Sequence, residues 1–275
     1  MEQSGPVWRF RCPSCGTWAS QLSVDINGGT HGGLDESLRE TGLCTLRKTN
    51  NALVLDRLAQ LGLPDNARVL DVGSAHGWFV RAAAERGWRA EGLEPDDAIA
   101  ARSAETGVAV RVGFFPDSLA ADETFDAICF NDVFEHLPDV RDAAAACRRH
   151  LRPGGLLSIN IPTTDGAVFT LGRWMERIGS HQLSDRLWQV GFPSPHLWYF
   201  DRAGLSRLCE VEDLEPVLVA TLPSVARHGL WDRAHEGGNR SLLTAAGVAA
   251  AWMGAPLLNS SRRSDIMHVV ARRRR

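Results

Sequence analysis

The chain has 275 residues, 44% hydrophobic and 23% charged, with a formal net charge of -3. That is an ordinary globular composition, long enough for one large domain or one domain with an appendage. The near-neutral balance argues against a bulk nucleic-acid binder, and the basic ending ARRRR reads as a solvated tail.

Residues 1–33 are Gly-rich and short of periodic apolar pattern, apart from FRCPSCG, a C-x-x-C-G turn of the zinc-ribbon kind. One such knuckle supplies two thiolates, Cys12 and Cys15. His31 and Cys44 are the candidates to complete a zinc site, at a spacing that is not standard; the rival reading is a reduced turn packing beside Trp8 and Trp18. The other cysteines, Cys129, Cys147 and Cys209, lie in apolar or helical contexts and read as small core residues. MEQSGPVWRF has no basic-then-apolar start, so no signal peptide and a reducing cytoplasm are expected. INGGTHGG at 26–33 reads as a linker into a single domain over 34–275.

Residues 37–61 carry apolar positions at helical spacing. An alternation follows, with strands at 67–73, 89–95, 109–113, 125–133 and 156–163 and helices at 78–87, 97–107 and 140–151. Glycines stop the first two helices and RPGG the third. Buried runs alternating with helices of this size imply a Rossmann-like α/β sheet, mainly parallel and covered on both faces, with ligands at the rim of strand ends. After Thr163 the rhythm changes. Residues 164–200 are rich in Trp and turn residues; a helix (DRAGLSRLCEVEDL), a strand (EPVLVATL) and a closing strand over 264–273 follow. For each of Trp174, Trp188, Trp198, Trp231 and Trp252, core packing and the lining of a pocket both stay open. Residues 241–261 carry no charge, but Ala, Gly and Pro256 fit a buried or lid helix better than a membrane span.

The loop LDVGSAHGWF joins the first core strand to the next helix. Gly73 permits a tight turn and Gly77 a close approach at the helix start. Asp71, beside that turn, is unsuited to a pyrophosphate and suited to a cationic amine. Glu94, ending the next strand, can accept both hydroxyls of a ribose. A nucleoside with a positive, non-phosphorylated tail fits the pair, and S-adenosylmethionine has that description. Asp71 and the glycine spacing disfavour an NAD-dependent oxidoreductase.

VLDVGSAHGWF, GLEPD, FDAICFNDVFEHLPD and LRPGGLLSINIPT, in this order over about residues 50–163, resemble the successive motifs of class I S-adenosylmethionine-dependent methyltransferases. RLWQVGFPSPHLWYFDRAGLSRL and SDIMHVVARR are similar to the lid and closing hairpin of the subgroup related to ubiquinone-biosynthesis O-methyltransferases. The resemblance implies a seven-stranded sheet with an antiparallel last strand and a helical lid over 164–200 and 221–260. It places Asp71 by the methionine amine, Gly73, Ser74 and Gly77 against the cofactor, and Glu94 with Pro95 at the ribose. Phe114 or Phe115, with Asp117 nearby, would flank the adenine, and Asn131 and Asp132 would border the sulfonium and the acceptor. Ala75 departs from the family's usual central glycine.

Methyl transfer asks mainly for alignment and water exclusion, with a base only if the acceptor must lose a proton. His196 in the lid is the first candidate and His136 the second, with His181 behind them; a helix cap or a core hydrogen bond is the rival role for each. The expected function is O-methylation of a small molecule, releasing S-adenosylhomocysteine, by a monomer or homodimer. The alternatives are C- or N-methylation of a sugar or natural-product scaffold, and a non-catalytic S-adenosylmethionine-binding module.

Overall fold

The structure, a computed structural model, describes residues 1–24, 36–225, 254–255, 259 and 263–275, with side chains in the first helix described from residue 44 onward. That helix, α1, spans Glu36–Gln60. A regular alternation follows: β4 (Arg68–Val72), α2 (Trp78–Glu85), β5 (Arg89–Glu94), α3 (Asp97–Glu105), β6 (Val110–Val112), β7 (Phe125–Asn131), α4 (Val140–His150) and β8 (Leu151–Pro162). The lid helices α5 (Ala167–Arg177) and α6 (Gln182–Leu187) come next, then α7 (Arg202–Val211), β10 (Leu214–Leu222) and β11 (Ile266–Arg273). The helix starts follow from local chemistry. Asp96 accepts from the amides of Ala98 and Ile99 at the head of α3, and Asp139 does the same for Arg141 and Asp142 at α4.

The main sheet has seven strands in the order β10-β11-β8-β7-β4-β5-β6. β4 to β8 pair in parallel, while β11 is antiparallel to both of its neighbours. The expected seven-stranded sheet with an antiparallel last strand is therefore present. The central runs are apolar because both faces are covered. Leu70, Ile128 and Ile159 pack with α4 and α7 on one side; Val69, Ala127 and Cys129 pack with α1 and α2 on the other. Strand order reverses between β4 and β7, so the carboxyl ends of those strands form a crevice.

One boundary differs from expectation. RPGG was expected to separate helix from strand, but Leu151 already pairs with Phe125, and the next pair is Ala127 with Leu156. Residues 152–155 bulge out of a strand that has begun, because the extra residues find no partners opposite.

The first residues build a second sheet. β1 (Glu2–Gln3), β2 (Arg9–Arg11) and β3 (Trp18–Ser20) form an antiparallel meander, and β3 pairs with β9 (Trp198–Tyr199) after the lid helices. Arg9 is fully buried and donates from both terminal nitrogens to Glu176, at 2.6 and 2.9 Å, and to Ser184 at 3.0 Å. Trp18, Phe169, Trp188 and Tyr199 form the core beneath. Core packing accounts for Trp188, and Trp198 donates its ring N–H to the Leu137 carbonyl; Trp174 is exposed. Trp231, Trp252 and nearly all of 241–261 lie outside the described residues. Among the described residues no helix is long and apolar enough to cross a membrane.

Candidate active site

An open cleft of about 490 Å³, part of it bulk solvent, lies at the carboxyl ends of β4 and β7. β4 delivers Asp71 to its floor, where the carboxylate is 3% exposed. Asn131, ending β7, donates to Asp71 Oδ1 at 2.8 Å, and Asn160 of β8 donates to Asn131 Oδ1 at 2.6 Å. Burial pushes the Asp71 carboxyl up to about 7, against the opposing pull of the Asn131 hydrogen bond.

The loop after β4 is shaped by the protein's own packing. A Cβ at Gly73 would meet Val133 Cγ2 at 2.5 Å, and one at Gly77 would meet Val108 Cγ1 at 2.8 Å. Both glycines have positive φ, and so does Ala75, at 43°. Ala75 thus adopts the left-handed conformation that a glycine would take at less cost. Two side chains hold it there: Glu94 Oε2 accepts from the Ala75 amide at 2.9 Å, and the Ser103 hydroxyl donates to its carbonyl at 2.6 Å. Glu94 Oε1 also accepts from the Asp96 amide at 3.1 Å. Burial raises the Glu94 carboxyl, against these two backbone bonds.

Asp71, Gly73, Ser74, Asn131 and Asp132 line the cleft. Gly77, Glu94, Pro95, Phe114 and Phe115 are not among its lining residues. Glu94 acts here as the anchor of the loop, with one further acceptor direction left on each oxygen. Phe115 packs edge-to-face on Phe130 in the core, while Phe114 and Asp117 are exposed. The cleft also gathers residues that sequence reasoning missed: Arg47, Asn50 and Asn51 from α1, Asn160 from β8, and His76 and Trp78 from the loop and α2. The available signal was polarity out of place, two adjacent asparagines inside a helix and one asparagine in an apolar strand. Asn50 Oδ1 and Ser74 Oγ, both buried at the cleft, have no hydrogen-bond partner among the described residues. Orphaned polar atoms beside a buried carboxylate and the Arg47 guanidinium fit a zwitterionic ligand with polar edges.

His136 and His196 come together, with ring centroids 4.8 Å apart, but neither lines this cleft. His196 is closed on both sides. Tyr199 donates its hydroxyl to the Leu187 carbonyl, so the same oxygen accepts from His196 Nδ1 at 3.1 Å. His196 Nε2 then accepts from the Gln189 amide at 2.9 Å. Burial and the neighbouring His136 bring His196 down to about 3. His136 Nδ1 donates to the Pro195 carbonyl at 2.9 Å, which leaves Nε2 as its basic nitrogen, 4.0 Å from Glu135 Oε1. Burial lowers His136 and raises Glu135 well above the usual carboxylate range. Ligand atoms of Glu135, His136 and His196 all lie within 4.8 Å of one another, close enough to hold a cation if Gln189 gives way. His181 is exposed at the head of α6.

The knuckle keeps two free thiols. Hydrogen bonds from Cys15 and Ser14 lower Cys12 to about 7. Among the described residues no third ligand joins them. Cys44 does not complete the set, and His31 lies outside the described residues. A closed zinc site needs four ligands.

A family described as a methyltransferase domain matches residues 46–219. A ubiquinone biosynthesis O-methyltransferase of Alkalilimnicola ehrlichii is 34% identical over 122 residues, covering 42% of this chain and 49% of that protein. One from Xylella fastidiosa (strain M23) is 32% identical over 149 residues, covering 49% of this chain and 61% of its own. The chain spans about half the length of these curated relatives. Among solved structures, Haemonchus contortus phosphoethanolamine N-methyltransferase 2, in complex with S-adenosyl-L-methionine, superposes with a TM-score of 0.63 at 15% identity, over 94% of this chain and 62% of that one. At that identity the likeness shows the fold alone.

Proposed function

The chain belongs to the methyltransferase-domain family, and from that premise we propose that it methylates a small-molecule acceptor from S-adenosylmethionine, at oxygen. The observation that carries the reading is the buried Asp71 carboxylate at the cleft floor, held by Asn131 and flanked by orphaned polar atoms. Asp71 would take the ammonium group of the methionine tail, and Arg47 would face its carboxylate. Asn50 Oδ1 and Ser74 Oγ supply acceptors that no described residue satisfies. When bound, S-adenosylmethionine supplies a methyl group already activated on a sulfonium. The residues have to align the acceptor, exclude water and take one proton.

His136 is the better base on this reading. Its Nδ1–H is committed to Pro195, and burial keeps the ring neutral at pH 7, so Nε2 can accept the hydroxyl proton. His196 would orient its surroundings instead. Oxygen is preferred as the acceptor atom because relatives 32–34% identical carry the name O-methyltransferase. Their names do not extend to this chain's acceptor, because it matches only about half of each.

The test has two steps. Calorimetry with S-adenosylhomocysteine should show stoichiometric binding; no binding at any pH would end the proposal. Transfer of a labelled methyl group to a metabolite extract should then give a labelled small product. Binding without transfer would favour the non-catalytic module, and a label on carbon or nitrogen would favour the sugar or natural-product alternative.

A further inference from the structure

Three side chains on neighbouring strands form a directed chain. β8 sets Asn160 opposite Asn131 of β7, and β7 lies beside β4, which carries Asp71. Asn160 Nδ2 donates to Asn131 Oδ1 at 2.6 Å, and Asn131 Nδ2 donates to Asp71 Oδ1 at 2.8 Å. An asparagine amide offers N–H at one end and oxygen at the other, and an ionised carboxylate only accepts. Asn131 must therefore turn its NH₂ toward Asp71. Its oxygen then points at β8, where it needs a donor, and Asn160 supplies one. Asn160 is 4% exposed in the mainly apolar run LLSINIP, where a buried amide is costly without a partner.

We propose that Asn160 is a positioning residue for cofactor binding: through Asn131 it fixes the donor that keeps the Asp71 carboxylate ionised and aimed at the cofactor's ammonium group. The inference rests on the cofactor reading above. Other groups face Asp71 as well: Arg47 from α1, Glu94 from β5, Cys129 opposite it on β7, Asp132 just beyond β7, and His76 across the cleft. Glu94 opposes the ionised form and Arg47 favours it. Cys129 is a neutral thiol, pushed far up by burial. Asn131 favours the ionised form by direct hydrogen bonding, and Asn160 determines which end of Asn131 does so.

The test is calorimetric titration of S-adenosylhomocysteine from about pH 5 to about pH 9. With the Asp71 carboxyl at about 7, wild-type affinity should rise as pH climbs through that value. Below it, affinity should fall about tenfold per pH unit. The upper limb belongs to the ligand's own amine, at about 8, and is common to all variants. Asn160→Asp presents an acceptor, turns Asn131 around and removes the donor from Asp71; Asn160→Leu removes the outer donor without adding charge. Both should move the rising limb upward, Asn160→Asp by about one pH unit or more. The inference fails if both variants keep the wild-type limb, or if they weaken binding by one factor at every pH, as a packing defect would. Should Asn160→Asp not fold, Asn160→Leu decides alone. A wild type that binds at no pH removes the cofactor reading and this inference together, whereas wild-type binding with an unmoved limb in the variants removes the inference alone.

Discussion

The cleft and the hairpin–lid region, where the N-terminal hairpins of β1–β3 meet α5, α6 and β9, both bury polar side chains, but they satisfy them differently. In the hairpin–lid region the groups close on one another. Arg9 is spent on Glu176 and Ser184, and both nitrogens of His196 are engaged. Against its own burial, hydrogen bonds from Arg9 and Ser184 hold Glu176 down to about 2. In the cleft, Asp71 is pushed up to about 7, and Asn50 Oδ1 and Ser74 Oγ find no partner among the described residues. Burial of a polar group is therefore not what marks a binding site; an unfinished hydrogen-bond inventory is.

The contrast can be broken by mutation. Arg9→Met removes one of the two guanidinium partners of the buried Glu176, leaving Arg173 and Ser184, and should cost about 3 kcal/mol in a urea melt. The Kd for S-adenosylhomocysteine should change by less than about twofold, because the sites share no partner. If Arg9→Met weakens binding strongly, the two regions are not independent. Asp71→Ala should do the reverse, weakening S-adenosylhomocysteine binding by about 100-fold in calorimetry while barely moving the melt. Stability that falls instead would make Asp71 a structural group.

The closed histidines make a pH prediction. His196 and His268, the latter buried on β11 between Arg57 and Ser158, both stay neutral in the fold, near 3, chiefly because they are buried. A depressed folded value means that the unfolded chain binds more protons between about pH 3 and about pH 6.5, so stability rises with pH across that window. Acidification from pH 7 to about pH 5 should cost roughly 2 kcal/mol per buried histidine, read as a fall in urea midpoint. His268→Asn should flatten that slope.

Smaller effects sharpen the picture of each region's edge. Ala75→Gly relieves a positive φ at the expense of a looser unfolded chain, for a net gain of about 0.5 kcal/mol in the same melt; a loss would mean that the methyl group packs usefully. Cys12, half-buried and lowered to about 7, should be alkylated by iodoacetamide at pH 7 well before the buried Cys129, Cys147 and Cys209, as read by peptide mass spectrometry. If Cys12 labels only after a chelator is added, a metal holds it.

Much of this was legible in the chain. The central strands β4, β7 and β8 stand out as largely apolar runs, because a strand covered on both faces has no polar side to show. Asp71 and Asn131 were visible as polar residues ending such runs. The α1 contribution was not, since Arg47, Asn50 and Asn51 sit in a helix whose contact with the cleft depends on how it packs. The engagement of both His196 nitrogens was hidden for a similar reason. Only the Tyr199, Gln189 and Pro195 contacts distinguish a closed ring from one with a nitrogen to spare.

By itself, then, the sequence determined the alternation of strands and helices, the crevice at the strand ends and the acidic loop within it, because period, punctuation and a misplaced carboxylate are local properties. The tertiary structure alone decided that the hairpin joins the lid through β9, that Glu94 anchors Ala75, and that Asn160 reaches Asp71 through Asn131. Those facts depend on which donor meets which acceptor across strands distant in sequence, and hydrogen-bond satisfaction is set by the folded arrangement, not by residue type.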